Sequence, residues 1–244
     1  MTVLRIEGVT NVRDVGGIPA AGGRIRSGVL LRSGQLSGAT TAGADALRHA
    51  VAHIVDLRDG EEVAAEPSGI EGPETTHLPL FLGSVRSFFE SDTSLDDLYL
   101  HLLEESGDRL AAAIRVIAAG EPTLVHCTVG KDRTGVTVAL ALSAVGADRE
   151  AVVADYALTE SQLPPERSRR IAAYLQAQHP EAVHAVALAT QSPAAVMRAL
   201  LDAVDERWGS AREYLRAQGM TEPELEALQD ALVEPSVTED SDEG

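Results

Sequence analysis

Cys127 and Arg133 stand six positions apart in the decapeptide HCTVGKDRTG, residues 126 to 135, with a lysine, an aspartate and two glycines around them. Those residue types can perform one kind of chemistry together. Gly130 and Gly135 allow backbone conformations that side chains obstruct, so the loop can curl with its amides pointing inward. Consecutive inward N–H groups form an anion-binding nest, and the positive end of a following helix adds to it. A phosphoryl group fits such a cup, and the same field stabilises a thiolate beneath it. Cys127 is then a nucleophile toward phosphorus. Arg133 supplies a planar fork that matches two phosphoryl oxygens, which a lysine cannot reproduce.

A bare Cys-x5-Arg spacing more often holds a small buried cysteine than a nucleophile. Here the surroundings favour the nucleophile. The apolar run TLVHC, residues 123 to 127, leads in, an apolar run over 134 to 146 leads out, and Thr134 is placed to donate a hydrogen bond toward the sulfur. A Walker loop needs glycine at 125 and Ser or Thr at 132, where this chain has Val125 and Asp132. No HExxH zinc motif occurs, and the single cysteine excludes an intrachain disulfide and a cysteine-rich metal cage. No metal or cofactor is expected. Two other readings remain open: a module that recognises phosphate without turnover, and a sulfur-transfer or arsenate-reducing enzyme. The latter fits poorly, because a reductase needs further thiols.

The elements that must position these groups follow from periodicity. Residues 24 to 33 read as strand segments broken at Gly28, 43 to 52 as a helix, and HIVDLR, 53 to 58, as a buried strand ending in charge. A loop covers 67 to 73, a further strand 75 to 80, and one helix 95 to 119. From about 148 the chain is helical, with Met197, Leu200, Leu201 and Val204 on a core-facing stripe and Thr221 and Glu224 at capping-box spacing. The centre is strand, loop, helix: an α/β domain with a mainly parallel sheet, helices on both faces and a helical C-terminal half. One domain is expected over 1 to 234, with an acidic tail at 235 to 244.

The charge is lopsided, 38 acidic side chains against 20 basic, for a formal net charge of −18. That field repels nucleic acid and anionic membrane, so a phosphate site must be a local cationic exception. No apolar run is long enough to span a bilayer and no signal-like segment is seen, so a cytoplasmic location is the expectation. Membrane insertion is not expected, and the oligomeric state is not legible.

HCTVGKDRTG resembles the signature of the cysteine-dependent protein tyrosine phosphatases, in their bacterial, PtpB-like branch of tyrosine and lipid phosphatases. NVRDVGG at 11 to 17 resembles that branch's N-terminal motif, with Val12 and Val15 as departures. LRSGQL at 31 to 36, IVDLRDGEEV at 54 to 63, DYALT at 155 to 159 and WGSAREYL at 208 to 215 follow in the same order. The resemblance implies that Cys127 forms a phosphocysteine while Arg133 and the loop residues Thr128, Val129, Gly130, Lys131 and Asp132 bind the phosphoryl oxygens. Thr134 helps the thiolate leave. Asp132 is the implied general acid, with Asp56 as runner-up. Lys131 accompanies activity on phosphoinositides beside phosphotyrosine proteins. Asn11, Arg13 and Asp14 are expected to brace the loop and His126 to order the end of its strand. A helical lid is implied over 161 to 190, where LPPERSRRIAAYLQAQ provides a basic amphipathic piece.

Overall fold

The computed structural model describes residues 1–80 and 92–236. Its main sheet has six strands in the order β1 (Thr2–Val3), β2 (Arg13–Asp14), β5 (Leu30–Ser33), β8 (Thr123–His126), β6 (His53–Asp56) and β7 (Glu74–His77). The last four run parallel and β1 and β2 are antiparallel additions at one edge. β8 is buried throughout because both faces of a parallel sheet are covered by helices. Register places Ser33 and Asp56 on either side of His126. All three strands therefore end together, and the loop begins at Cys127 on the carboxyl edge, where open α/β sheets place their ligands.

Beyond that loop, α5 (Asp132–Ala144) is the central helix, with ten of its 13 residues buried. The helix starts two residues before the apolar run, so Asp132 and Arg133 belong to its first turn. α1 (Thr41–Ala50) and the short α2 (Gly60–Ala65) flank β6 in sequence. α2 was not expected. Its apolar content is small, and it is organised by a capping box in which Asp59 and Glu62 satisfy each other's backbone amides.

The helix expected over 95 to 119 is two helices, α3 (Leu95–Glu105) and α4 (Gly107–Ala118). Ser106 leaves helical geometry (φ −124°, ψ 17°), and Gly107 packs so closely that a Cβ there would lie 2.3 Å from Gln218 Oε1. Periodicity runs through such a break without registering it.

The C-terminal half is helical, as expected: α6 (Arg149–Gln162), α7 (Pro165–Gln178), α8 (Ala185–Thr190), α9 (Ala194–Trp208), α10 (Ala211–Ala217) and α11 (Glu222–Leu232). The α9 stripe of Met197, Leu200, Leu201 and Val204 is buried in the main core, and Glu224 Oε2 accepts from Thr221 N at 2.7 Å. A second, three-stranded antiparallel sheet joins β3 (Pro19–Ala20), β4 (Gly23–Ile25) and β9 (Val233–Pro235). The described chain thus closes back on its beginning through Pro235, one residue past the expected boundary, and 237 to 244 of the expected tail lie outside the described residues. Among the described residues no helix is long and apolar enough to cross a membrane.

Helices α7 and α8 pack largely on each other, with Leu188 of α8 reaching the main core. Leu175, Ala182 and Ala185 form a small cluster of their own with Ile171, Val186 and Ala189, separate from the main core. The two ends of this pair are pinned at one neck: Ser192 Oγ accepts from Glu160 N (2.9 Å) and donates to Ala157 O (3.1 Å). We call this pair the flap; it is tied to the body again where His184 N donates to Asp92 Oδ1 (2.7 Å).

Candidate active site

The loop's carbonyls are held from behind. Thr128 O accepts from Gln35 N (3.1 Å), Val129 O from Asn11 Nδ2 (3.1 Å), and Gly130 O from both Asn11 Nδ2 (3.0 Å) and Arg32 Nη2 (2.8 Å). In a planar trans peptide the N–H points opposite to the carbonyl before it, so the amides of Val129, Gly130 and Lys131 turn toward Cys127. Gly130 N lies 3.3 Å from the buried Sγ. Only glycine serves at 130: its φ is +73°, and a Cβ would sit 2.2 Å from Ser33 O.

A buried ion cluster anchors those supports. Asp155 Oδ1 accepts from Arg13 Nε (2.6 Å) and Oδ2 from Arg32 Nη1 (2.5 Å); Arg13 Nη2 also donates to Asp155 O and Thr159 Oγ1. Burial alone would raise the Asp155 carboxyl, but Arg32 and Arg13 outweigh it and hold it below the usual range. Burial, then the charge of Arg32, lowers Arg13 to about 10. Of the expected braces, Asn11 touches the loop and Arg13 acts through Asn11, to whose carbonyl and side-chain oxygens its Nη1 donates. Asp14 does not brace the loop. Its two oxygens accept from Gly16 N and Gly28 N, which ties together the two ends of the segment that carries β3 and β4. His126 is fully buried, pushed down to about 4 chiefly by that burial, and so is neutral; its Nδ1 is 3.3 Å from Cys127 O. Arg32 and Asp155 were not singled out from the sequence. Their signal was a charged residue inside an apolar element, with no indication of what it meets.

Glu62 was also missed, and it organises the arginine. Its Oε2 accepts from Arg133 Nη1 at 2.6 Å and its Oε1 from Arg133 Nη2 at 2.9 Å, a fork-to-fork pair that fixes the guanidinium plane. Thr128 Oγ1 donates to the same carboxylate. Burial opposes the charge on Glu62, yet the hydrogen bond from Arg133 prevails and lowers it from 4.5 to about 2. A carboxyl depressed on folding contributes stability above its unfolded value, and that contribution is lost as pH falls through the folded one. Stability from this pair is therefore whole above about pH 4.5 and disappears toward pH 2. Glu62→Gln should flatten the acid limb of a melting-temperature profile in that window. It should also lower kcat/KM about tenfold to a hundredfold by loosening Arg133. An unchanged acid limb with unchanged kinetics would remove Glu62 from this role.

Asp132 lies at the start of α5 with Oδ1 accepting from Tyr99 Oη (2.8 Å) and 3.1 Å from Lys131 Nζ; Tyr99 and Tyr156 share a further hydroxyl contact at 2.7 Å. Lys131 is neither a solvated loop residue nor a group reserved for substrate. It is buried, and its Nζ donates to Leu188 O (2.7 Å) and Gln191 O (2.8 Å), the carbonyl end of α8. The lysine thereby ties the phosphate loop to the flap. The expected Thr134 contact with the sulfur is not made: Thr134 Oγ1 is buried without a hydrogen-bond partner among the described residues. Asp56 sits behind the loop in a buried ion pair with Arg58 (Nη2 to Oδ2 2.7 Å), its Oδ2 3.6 Å from His126 Nε2. Arg58 outweighs the effect of burial and keeps that carboxylate below its usual range. That is the place of a structural anion, not of an acid facing a leaving group.

Above the loop lies a cavity of about 360 Å³. Thr128, Val129, Lys131, Asp132, Arg133 and Glu62 form its floor, Leu98 and Leu102 of α3 one wall, and Arg167, Ile171, Tyr174, Leu175, Leu188 and Ala189 of the flap its roof. Sheet, loop and cavity together define a phosphoric monoester hydrolase. The tyrosine phosphatase family profile matches residues 4–234, and the chain belongs to that family. The triple specificity protein phosphatase PtpB of Mycobacterium tuberculosis is 30% identical over 96% of this chain and 100% of its own length. A putative tyrosine-protein phosphatase of Cupriavidus necator is 30% identical over 87% of this chain and 82% of that one. A tyrosine-protein phosphatase of Nostoc commune is 26% identical over 84% and 74%.

Proposed function

We propose that this protein hydrolyses phosphotyrosine through a phosphocysteine intermediate. The observation that carries the reading is Gly130 N directed at the Cys127 sulfur (3.3 Å) in a loop whose carbonyls are tied back, with Arg133 held beside it by Glu62. In the first step the thiolate attacks phosphorus, the P–S bond forms as the ester P–O bond breaks, and Asp132 protonates the departing oxygen. Tyr99 and Lys131, which already face Oδ1, stabilise the carboxylate left behind. The inward amides and Arg133 balance charge on the equatorial oxygens. In the second step water attacks phosphorus, gives a proton to Asp132, and the P–S bond breaks to release phosphate and restore the thiolate.

The triple specificity in the name of the mycobacterial relative supports a range wider than phosphotyrosine, with phosphoserine and phosphothreonine as candidates. Phosphoinositides, expected on the ground of Lys131, lose part of that support, because the lysine is engaged by flap carbonyls. A module that binds phosphate without turnover has no observation in its favour.

Vanadate-sensitive hydrolysis of p-nitrophenyl phosphate, with a phosphoryl adduct trapped on the Cys127 peptide after acid quench, tests the reading. The acid is tested by leaving group. Asp132→Asn should slow a phosphoserine peptide about a hundredfold and p-nitrophenyl phosphate much less, since p-nitrophenolate departs without a proton. A larger, leaving-group-dependent loss in Asp56→Asn would show that the wrong carboxylate has been chosen.

A further inference from the structure

Among the described residues three cations line the cavity, and they are not equivalent. Arg133 is paired with Glu62, and Lys131 faces Asp132. Arg167, on the roof, has no carboxylate partner among the described residues, and its Nη1 is buried without a hydrogen bond. Its neighbour Arg169 pairs with Glu166 in solvent, whereas burial and the charge of Arg170 press Arg167 toward its neutral form. A guanidinium kept half-buried beside a second cation with no anion is destabilising for the flap, and an incoming anion relieves that penalty.

We infer that Arg167 is a specificity-determining residue that receives a second anionic group of the substrate, a carboxylate flanking the phosphotyrosine of an acidic peptide. The inference rests on the proposed phosphotyrosine hydrolysis and goes further by naming the sequence context. The walls decide between ligand chemistries. Leu98, Leu102, Ile171, Leu175 and Leu188 suit the faces of a phenyl ring, whereas the hydroxyls of an inositol ring would lose water against these apolar side chains. Tyr174 lines the same cavity while 62% exposed, which places an aromatic surface at the mouth for the peptide to cross. The protein's charge of −18 opposes an anionic bilayer over a broad face, but a peptide meets only the pocket.

The test compares two phosphotyrosine peptides that differ only in glutamate or glutamine on either side of the phosphotyrosine. They are assayed on the wild type, Arg167→Ala and Arg167→Lys, each rate read relative to that variant's turnover of p-nitrophenyl phosphate. The wild type should favour the acidic peptide about tenfold in kcat/KM, a preference that shrinks as salt is added. Arg167→Ala should reduce it to about twofold or less, with Arg167→Lys between. Equal rates on both peptides in the wild type, or a preference that survives Arg167→Ala, would overturn the inference. So would a soluble short-chain phosphatidylinositol bisphosphate that loses turnover in Arg167→Ala while the peptide ratio stays put, since the roof would then belong to a lipid headgroup. Binding of the same two peptides to Cys127→Ser repeats the comparison without turnover. If no phosphomonoester is hydrolysed but the charge preference in binding persists and depends on Arg167, the proposed reaction falls and the subsite stands.

Discussion

Cys127→Ser should lose turnover by at least about 10⁴-fold while the protein keeps its fold and its affinity for phosphotyrosine peptide. Cys127 is 2% exposed, its sulfur facing Gly130 N in a loop whose carbonyls are tied back by Asn11, Arg32 and Gln35. Those ties do not involve the sulfur, so the cup persists when it is replaced. What disappears is the nucleophile: a serine hydroxyl is weak without a general base to take its proton, and the one nearby imidazole, His126, has Nδ1 turned to Cys127 O and lies beneath the loop. Calorimetric binding of a phosphotyrosine peptide with no detectable hydrolysis is the expected pair of results. Measurable turnover by the serine variant at more than about a hundredth of the wild-type rate would show that another group attacks phosphorus.

The largest loss of stability should come from a residue that touches no substrate. Asp155 is the one carboxylate shared by Arg13 and Arg32, and all three side chains are at most 2% exposed. Asp155→Ala leaves two buried guanidiniums without a counter-ion, which costs about 3–5 kcal/mol, and chemical denaturation should show it as a midpoint shift at unchanged slope. Activity should fall too, since Arg32 Nη2 and, through Asn11, Arg13 both hold the Gly130 carbonyl. The two effects separate in the triple replacement Arg13→Met, Arg32→Met, Asp155→Leu. Removing the whole buried cluster should restore much of the stability, yet turnover should stay low because Gly130 O has lost Arg32. A triple variant that regains both would make the cluster a packing device with no part in holding the loop.

Much of the site was legible because it is contiguous. Strand, loop and helix succeed one another within about twenty residues, and glycine, cysteine and arginine each carry a conformational or chemical meaning that needs no neighbour. The fold was legible for a related reason: burial on both faces of β8 and nearly all sides of α5 imposes apolar runs that can be read directly. The break at Ser106 was hidden because both halves of the run are apolar and only contact with Gln218 demands the glycine.

What the sequence determined, then, is the loop from Cys127 to Arg133 and the α/β layers that present it, since local spacing and periodicity encode both. Tertiary structure alone decided which charges meet. Glu62 reaches Arg133 across 71 positions, Asp155 reaches Arg13 and Arg32 across 142 and 123, and Lys131 reaches Leu188 across 57. A side chain's charge is written in the chain, but its partner is chosen by the crossing of elements far apart in sequence. That is why Lys131 reads as a cation for substrate until the carbonyls of Leu188 and Gln191 are seen to hold it, and why Asp56 reads as an acid until Arg58 is seen beside it.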